Sequence, residues 1–388
     1  MRAILRLAAV AMIVAAVLGA HSVLGTASPL ASARTVSPAP AAAPSACKIV
    51  QKGPEGQTPS HASAVRVIAG DFARLKAQHK TFRVATFWQT IVPGNTELML
   101  QGLRQQFSRF AKQYGVRIQV SAATDSGFDA AKQADQINTL VNTKPDAMVG
   151  ILDDQVADSN AVKNIMQHHI PLIMWDVDAK GVYPTSIVTA NGRLAGCRLA
   201  NILAKDINYS GDIASLPMKI KYYPTDQRVA GFNSRVLQAY PKIHIVAQDG
   251  ATVFADGQSV GEGILQRFPN LKGIFVSWQD PAMGIVSATK TLGRSNLAII
   301  STDMAPPIDL EIAKCGIVKA TAPQLTYNMG QTEAKLVVKS ILKERVPKYI
   351  VTDDPIVTHQ NLLQIYPRVF HTPAPADLVK AYVHQNCS

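Results

Sequence analysis

Several apolar runs of the sequence end abruptly in carboxylate or amide side chains. Residues 170–181 read IPLIMWDVDAKG, in which Trp175, Asp176 and Asp178 stand at the end of such a run. Similar endings recur along the chain, at Trp88 and Gln89, Asp153 and Asp154, Gln279 and Asp280, Asp303, and Gln324. Carboxylates and amides form paired hydrogen bonds at the spacing of adjacent hydroxyl groups, and an indole offers a flat apolar surface to C–H groups. Together these residue types are suited to binding a sugar or polyol.

Each polar ending taken alone has a simpler explanation. An aspartate after a strand often caps the next helix or stabilises a turn, and Asp153 and Asp154 fit that role as well as a place on the rim of a site. Trp175 is predicted to face the core, because its neighbour Asp176 faces the site and strand side chains alternate. The number of polar endings, spread over both halves of the chain, favours one shared cleft over separate caps.

The elements that position these residues follow from the hydrophobic pattern, in which short apolar runs alternate with segments of helical periodicity. The predicted strands are 82–87, 116–120, 146–152, 170–175, 213–217, 243–248, 272–277, 297–302 and 317–322. The predicted helices are 99–114, 129–141, 157–168, 191–207, 226–239, 258–267, 282–292 and 328–344. Apolar strands separated by helices indicate a parallel sheet covered on both faces. Two such units in succession predict an α/β fold of two doubly wound lobes, with ligands at the carboxyl ends of the strands.

The first residues predict export from the cytoplasm. Arg2 and Arg6 precede an apolar run over 7–20, and small residues follow around 31–33. This is the pattern of a cleaved signal peptide over 1–33, and the apolar run is too short to span a bilayer comfortably. The mature protein is therefore predicted to be periplasmic or extracellular.

The segment after the signal peptide has a different composition. Residues 34–60 are rich in proline, alanine, serine and glycine and are predicted to be a disordered linker. A lipid anchor on Cys47 is a weaker alternative, because the preceding residues lack the leucine-type residue of a lipidation motif. A helix is predicted within an N-terminal extension over 61–80, from the spacing of Val65, Ile68, Phe72 and Leu75.

The distribution of charge argues against nucleic acid as a partner, and the spacing of the cysteines argues against a zinc site. Removal of Arg2 and Arg6 with the signal peptide lowers the formal net charge from +12 to +10, and the remaining basic residues are scattered. Nucleic acid is therefore not an expected partner. The four cysteines, Cys47, Cys197, Cys315 and Cys387, allow three complete disulfide pairings, among which the sequence does not choose. No spacing suggests zinc, and no metal or cofactor is predicted.

Five segments in a fixed order carry a family resemblance. They read IPLIMWDVDA, TDQRVAGF (225–232), KGIFVSWQDPAMGIVSA (272–288), LAIISTDMAPP (297–307) and GIVKATAPQLTYNMG (316–330). In these segments the chain resembles the periplasmic sugar-binding proteins of the ribose-binding type, which are capture subunits of ABC importers. The resemblance extends from about Phe82 to Leu363. It implies a type I periplasmic binding protein fold, no enzymatic activity, and a sugar or polyol ligand delivered to a membrane permease.

The resemblance also implies roles for individual residues. The implied ligand-binding residues are Trp88, Asp176, Asp178, Asn191, Arg228, Gln279, Asp280, Asp303 and Gln324. Asp176 would hold sugar hydroxyls from the first lobe beside Asp178, and Arg228 would donate from the second lobe. Trp88 would take the place of the stacking aromatics of the family. Val177 stands where ribose binders carry arginine, and Gln279 stands where asparagine is common. These departures argue against ribose, and the expected ligand is a hydroxylated small molecule.

The family architecture implies how the chain divides. The first lobe is expected to comprise 81–190 plus 325–354, and the second 191–324 plus 355–388. Three crossings would form the hinge, near Ala190–Asn191, Gln324–Leu325 and Asp354–Pro355. The protein is expected to be a monomer that closes around its ligand and then docks on the permease.

Two other functions are weighed against transport. The run GQSVG (257–261) fits the pattern of a hydrolase nucleophile, with His359, His371 and His384 downstream. Such a serine must lie on a tight turn directly after a strand, whereas Ser259 falls in a predicted helix. The second alternative is a ligand-sensing adaptor for a membrane receptor or sensor kinase, which would use the same fold.

Overall fold

The computed structural model describes Cys47 and residues 51–385, apart from Glu55 and His79. The predicted signal peptide (1–33) and residues 34–46 and 48–50 of the predicted linker lie outside the described residues. The described helices are α1 Ala69–Ala77, α2 Thr96–Tyr114, α3 Ala130–Asn142, α4 Ser159–Gln167, α5 Gly192–Asp206, α6 Tyr223–Ala239, α7 Phe254–Arg267, α8 Gln279–Thr291, α9 Pro306–Ala313, α10 Thr326–Ile341, α11 Leu362–Phe370 and α12 Ala376–Val383. Within the described residues, none of them is both long and apolar enough to cross a membrane.

The described strands fall into two sheets. They are β1 Ser60–His61, β2 Thr81–Trp88, β3 Arg117–Val120, β4 Thr124–Asp125, β5 Ala147–Gly150, β6 Leu172–Trp175, β7 Ser186–Ala190, β8 Gly211–Leu216, β9 Ile243–Ala247, β10 Gly273–Val276, β11 Ala298–Ile300, β12 Val318–Thr321, β13 Tyr349–Thr352 and β14 Val357–Thr358. The first sheet has the order β1-β13-β7-β6-β5-β2-β3, with β4 beside β2. The second has the order β14-β12-β11-β10-β8-β9, in which only the β12–β14 pair is antiparallel.

The chain passes between the two sheets three times. It leaves the first sheet after β7, returns after β12, and leaves again after β13. Each sheet is covered by helices and has apolar side chains buried against it. Strands such as β5 and β6 are buried along their whole length, which is why they read as continuous apolar runs. The predicted α/β architecture of two doubly wound lobes is therefore confirmed.

Pairs of glycines allow the covering helices to pack closely. Gly102 on α2 and Gly330 on α10 face each other's backbone, and a Cβ added at Gly102 would lie 2.0 Å from the carbonyl oxygen of Tyr327. Gly196 on α5 and Gly231 on α6 make the same kind of approach in the second lobe. Only a residue without a side chain fits where two helix backbones come this close.

The N-terminal part of the described chain differs from its prediction. Helix α1 begins at Ala69, so Val65 lies outside it, and Ile68 is 63% exposed. Before α1 the chain forms β1, which pairs with β13 at the edge of the first sheet, and then a 3-10 turn over Ala62–Ala64. Within the predicted disordered linker, Cys47 is bonded to Cys197, and Gln51 is buried. Cys315 is disulfide-bonded as well.

Several short strands and helices were not predicted from the sequence. Strands β7, β13 and β14 and helices α9, α11 and α12 were not predicted, although β7 and β13 extend the first sheet. Helix α10 is the last predicted element, and it is followed by β13, β14, α11 and α12. Ser259 lies inside α7, as predicted, so it does not occupy the strand-to-helix turn of a hydrolase nucleophile.

Candidate functional site

A pocket opens between the two lobes at the carboxyl ends of their strands. Its empty volume, including its opening to solvent, is about 580 Å³. First-lobe residues on its wall include Trp175 and Asp176, and second-lobe residues include Arg228 and Asp303. The remaining wall residues are Gln89, Thr90, Val92, Asn95, Thr96, Phe128, Ile151, Met218, Tyr222, Pro224, Thr225, Trp278 and Gln324.

A buried ion pair forms the second-lobe side of the pocket. Arg228, from the second turn of α6, is 3% exposed and donates from Nη1 to Asp303 Oδ2 at 2.8 Å. The same nitrogen donates to Thr302 Oγ1 at 2.8 Å and to the Ser277 carbonyl oxygen at 3.1 Å. In the described part of the chain, Asp303 Oδ1 has no hydrogen-bond partner. A buried acceptor in this position is available to a ligand hydroxyl.

A chain of hydrogen bonds forms the first-lobe side. Asp176 Oδ1 accepts from Thr189 Oγ1 at 2.7 Å, and Oδ2 accepts from Gln324 Nε2 at 3.5 Å. Gln324 Oε1 in turn accepts from the Trp175 indole at 3.3 Å. These contacts fix the orientation of the carboxylate and of the indole. Burial raises the pKa of Asp176 to about 6, against the lowering effect of its hydrogen bonds and of Arg228.

The two site aspartates share an unusual backbone conformation. Asp176 follows β6 with φ of 64°, and Asp303 follows β11 with φ of 66°. The left-handed region is uncommon for residues other than glycine, although aspartate tolerates it better than most. Such residues often mark functional sites, because the surrounding structure must hold them in place. The same turn in both lobes directs one carboxylate from each into the pocket.

Carboxylates outnumber cations around the pocket. Burial alone would lower the pKa of Arg228, but the charges of Asp303, Asp354 and Asp176 raise it above its ordinary value. Asp354, on the third passage between the sheets, is buried, and its pKa is raised well above the usual range by that burial. Burial and the charge of Asp303 raise the pKa of the half-buried Asp280. Burial thus favours the neutral form of Asp354 and Asp280, whereas Arg228 keeps its charge.

The structure brings four of the nine predicted ligand residues to the pocket wall, namely Asp176, Arg228, Asp303 and Gln324. The other five lie elsewhere. Asn191 caps α5 by accepting from the Leu194 backbone amide, and Asp178 is buried and accepts from Gln155 Nε2 at 3.1 Å. Gln279 and Asp280 form the start of α8, close to the pocket without lining it.

Both tryptophans of the first lobe are buried in its apolar core. Trp88 is fully buried and does not reach the pocket wall, and its ring centre lies 6.2 Å from that of Trp175. Trp175 is 3% exposed within the same core, as strand alternation predicts, but it also lines the pocket. The indole on the pocket wall of this lobe is therefore that of Trp175 and not that of Trp88.

Other wall residues were not predicted at all. Trp278 directly precedes α8, and its indole donates to the Thr252 carbonyl oxygen at 2.8 Å, which leaves the ring face to the pocket. Tyr222, Phe128 and Met218 add further apolar surface. Trp278 ends the run KGIFVSW, so its place at a strand exit was the available signal. Phe128 and Met218 lie on loops whose course the hydrophobic pattern does not specify.

Asp153 and Asp154, which were considered for the rim of the site, lie at or beside the turn before α4. Asp154 Oδ1 accepts from the backbone amides of Val156 and Ala157, so it stabilises the turn before α4. Asp153 is buried beside this turn, and burial raises its pKa to about 7. Among the residues that the structure describes, no group of three or more histidine, cysteine or carboxylate side chains is arranged to hold a metal ion.

A pocket between two α/β lobes, with polar groups from both, defines a two-lobed binding protein. The model of the family described as "periplasmic binding protein domain" matches residues 88–344, and the chain belongs to this family. The predicted resemblance is thereby confirmed. Members of this family bind and deliver solutes and are not enzymes.

Individual relatives are moderately similar in sequence. The D-apiose import binding protein of Actinobacillus succinogenes is 29% identical over 209 residues, which cover 52% of this chain and 66% of that protein. The ribose import binding protein of Escherichia coli is 24% identical over 237 residues, which cover 61% and 79%. A solute-binding protein from Agrobacterium vitis bound with alpha-D-tagatopyranose superposes with a TM-score of 0.68 at 20% identity, covering 76% and 100% of the two chains.

Proposed function

We propose that the protein is an exported solute-binding protein that captures a sugar or related polyhydroxylated small molecule between its lobes. One observation carries the proposal: Asp176 and Gln324 on one side and Arg228 and Asp303 on the other line the same pocket. Hydrogen bonds to charged groups contribute roughly 1.5–3 kcal/mol each, so the three charged residues together with the Gln324 amide can give micromolar affinity. The relatives named for apiose and ribose and the tagatose-bound structure support this ligand class.

The ligand contacts follow from the wall of the pocket. Asp176, Asp303 and Gln324 accept from or donate to hydroxyls, and Arg228 donates through nitrogens other than the Nη1 that Asp303 holds. Trp175 and Trp278 offer apolar faces to the C–H side of the sugar ring. The other five predicted residues do not contact the ligand directly and act through helix capping, packing or charge. They are Trp88, Asp178, Asn191, Gln279 and Asp280.

The ligand is neutral. Asp176 and Asp303 line the wall together with Arg228, which is the one cationic side chain that the described residues place there and which is already paired with Asp303. A ligand carboxylate or phosphate would add a buried negative charge to this cluster without a free cation to compensate it. Pentoses, hexoses and polyols therefore fit the site, whereas uronic acids and sugar phosphates do not.

Closure and delivery complete the proposed function. The first lobe comprises 81–190 plus 325–354 and the second 191–324 plus 355–388, with the hinge at the three crossings. Tyr222, Tyr223 and Met218 of the second lobe pack against the first-lobe core, which is the contact expected of a closed state. The protein acts as a monomer in the periplasm or outside the cell, after removal of the signal peptide, and the closed form docks on the permease of an ABC importer.

A thermal-shift screen tests the ligand class. Purified mature protein is heated with D-apiose, D-ribose, D-tagatose, other pentoses and hexoses, and polyols, and small molecules that co-purify are identified by mass spectrometry. At least one neutral sugar or polyol should raise the unfolding temperature, because a ligand that binds only the folded state stabilises it. A panel without any shift, together with a co-purified ligand that has no hydroxyl groups, would contradict the proposal.

A further inference from the structure

The residues before the family-matched region contact both lobes. Cys47 is disulfide-bonded to Cys197 on α5, a helix that packs on the second sheet. Strand β1, at Ser60–His61, pairs with β13 at the edge of the first sheet. The segment that joins these two anchors therefore runs from one lobe to the other. It adds a fourth connection to the three passages already described, and the family match, which begins at residue 88, does not include it.

Gln51 sits at the middle of this connection and is 1% exposed. Its Nε2 donates to the Tyr349 hydroxyl of the first sheet at 2.8 Å. Its Oε1 accepts from the backbone amide of Arg193, on α5 of the second lobe, at 3.1 Å. One amide side chain thus bridges the lobes with both of its polar atoms. The next residue continues the bridge, because the carbonyl oxygen of Lys52 accepts from the Tyr223 hydroxyl of α6 at 2.6 Å.

We propose that Cys47, residues 51–54 and residues 56–61 form a disulfide-anchored strap that favours the closed arrangement of the lobes and so tightens ligand binding, with Gln51 as its positioning residue. The proposal rests on the proposed function only in assuming that the lobes open and close. Tyr349 and Arg193 lie on opposite sides of the hinge crossings, so rotation of the lobes changes the distance between the two groups that Gln51 joins. A rotation beyond hydrogen-bond reach would leave a buried polar group unpaired unless water replaced it.

The disulfide gives the strap its effect. Four residues from Cys47 reach at most ~14 Å, so the bond to Cys197 keeps Gln51 near Arg193 in any state of the hinge. The bridging contacts then re-form at the high effective concentration of an intramolecular reaction. The nine residues from Gln51 to Ser60 can extend to roughly 30 Å, so the strap allows opening while favouring closure.

Two variants separate the anchor from the bridge. Gln51→Met removes both bridging hydrogen bonds and keeps the volume and the disulfide. The double variant Cys47→Ser/Cys197→Ser removes the anchor and keeps Gln51. The matched control is Cys315→Ser/Cys387→Ser, which removes the other two cysteines of the sequence. Each protein is studied full length by small-angle scattering and by amide hydrogen exchange at Arg193, and by calorimetric titration with the neutral sugar that binds the wild type.

Gln51→Met should bind the sugar about three- to tenfold more weakly, which corresponds to the loss of one or two hydrogen bonds. The double cysteine variant keeps these bonds but releases the strap from α5, so it should also bind the sugar more weakly. Without sugar both strap variants should show a larger radius of gyration and faster exchange at Arg193, while the control keeps wild-type values. A folded Gln51→Met protein with wild-type radius and affinity would overturn the strap, even if the double variant failed to fold. If no sugar bound the wild type, the proposed function would fail, but the radius and the Arg193 exchange would still decide the strap.

Discussion

Replacing Arg228 by methionine should destabilise the protein strongly at neutral pH and less at acidic pH. The guanidinium and Asp303 are buried at 3% and 4% exposure and lie 2.8 Å apart. Removing one partner of such a pair leaves an uncompensated charge and costs about 3–5 kcal/mol. The side chain also donates to Thr302 and to the Ser277 carbonyl, so the upper half of this range is expected.

The pH dependence follows from the neighbouring carboxylates. The charge of Arg228 lowers the pKa of Asp176 and of Asp354, so its loss raises both further above their unfolded values. A carboxyl whose folded pKa is raised stabilises the folded state at low pH, and this contribution is lost as the pH rises through the folded pKa. Since the pKa of Asp176 is already about 6, the destabilisation should shrink by about 1–3 kcal/mol between about pH 7.5 and about pH 5.

Urea unfolding followed by circular dichroism at both pH values measures this difference. The matched control is Arg235→Met, a buried arginine on the same helix whose Nε donates to the amide oxygen of Asn201 at 2.6 Å. Its loss should lower the free energy of unfolding by an amount that does not depend on pH. An Arg228→Met destabilisation below about 1 kcal/mol, or one equal at both pH values, would refute the electrostatic reasoning.

Further predictions concern the pocket and the helix packing. Trp175→Phe should weaken sugar binding by about tenfold in calorimetric titration, since the ring face and the hydrogen bond to Gln324 change. Trp88→Phe should affect only stability, so equal losses of affinity in the two variants would contradict the placement of Trp175 at the pocket. D-Glucuronate and D-galacturonate should not raise the unfolding temperature in the screen that detects the neutral ligand, and a shift as large as that of the neutral sugar would disprove the charge argument. Gly102→Ala should cost several kcal/mol in urea unfolding, roughly the range for overpacking, because its Cβ would lie 2.0 Å from a backbone oxygen. Gly263→Ala, on an open helix face, should instead stabilise by about 0.4–1 kcal/mol, and similar results for the two glycines would argue against the close helix contact.

The architecture was predictable because its main signal is local. The strands buried on both faces, such as β5 and β6, appear in the sequence as apolar runs, and the long helices have clear periodicity. β7 and β13 are no shorter than these strands, but their sequences, SIVTA and YIVT, mix serine and threonine with apolar residues, and both strands pair with partners distant in sequence. The N-terminal strap was missed for the same reason: Gln51 is ordered by Tyr349, which lies 298 residues away.

The site was predictable at the level of residue type and less so at the level of orientation. Asp176, Arg228, Asp303 and Gln324 were identified and reach the pocket, because carboxyl ends of parallel strands and lobe crossings lie beside it. Both tryptophans are buried in the core, and Trp175 rather than Trp88 also reaches the pocket wall. This difference depends on where each strand ends and on the left-handed turn at Asp176, which the hydrophobic pattern does not specify.

Calorimetric titration of one neutral sugar or polyol tests most directly whether both lobes hold the ligand. Wild-type protein, Asp176→Ala from the first lobe and Asp303→Ala from the second are titrated with the ligand identified by the screen. The wild type should bind one molecule per chain, and each variant should lose at least about tenfold in affinity while remaining folded, since each removes a charged hydrogen-bonding partner. Unchanged affinity in both variants would show that the ligand binds somewhere other than this pocket.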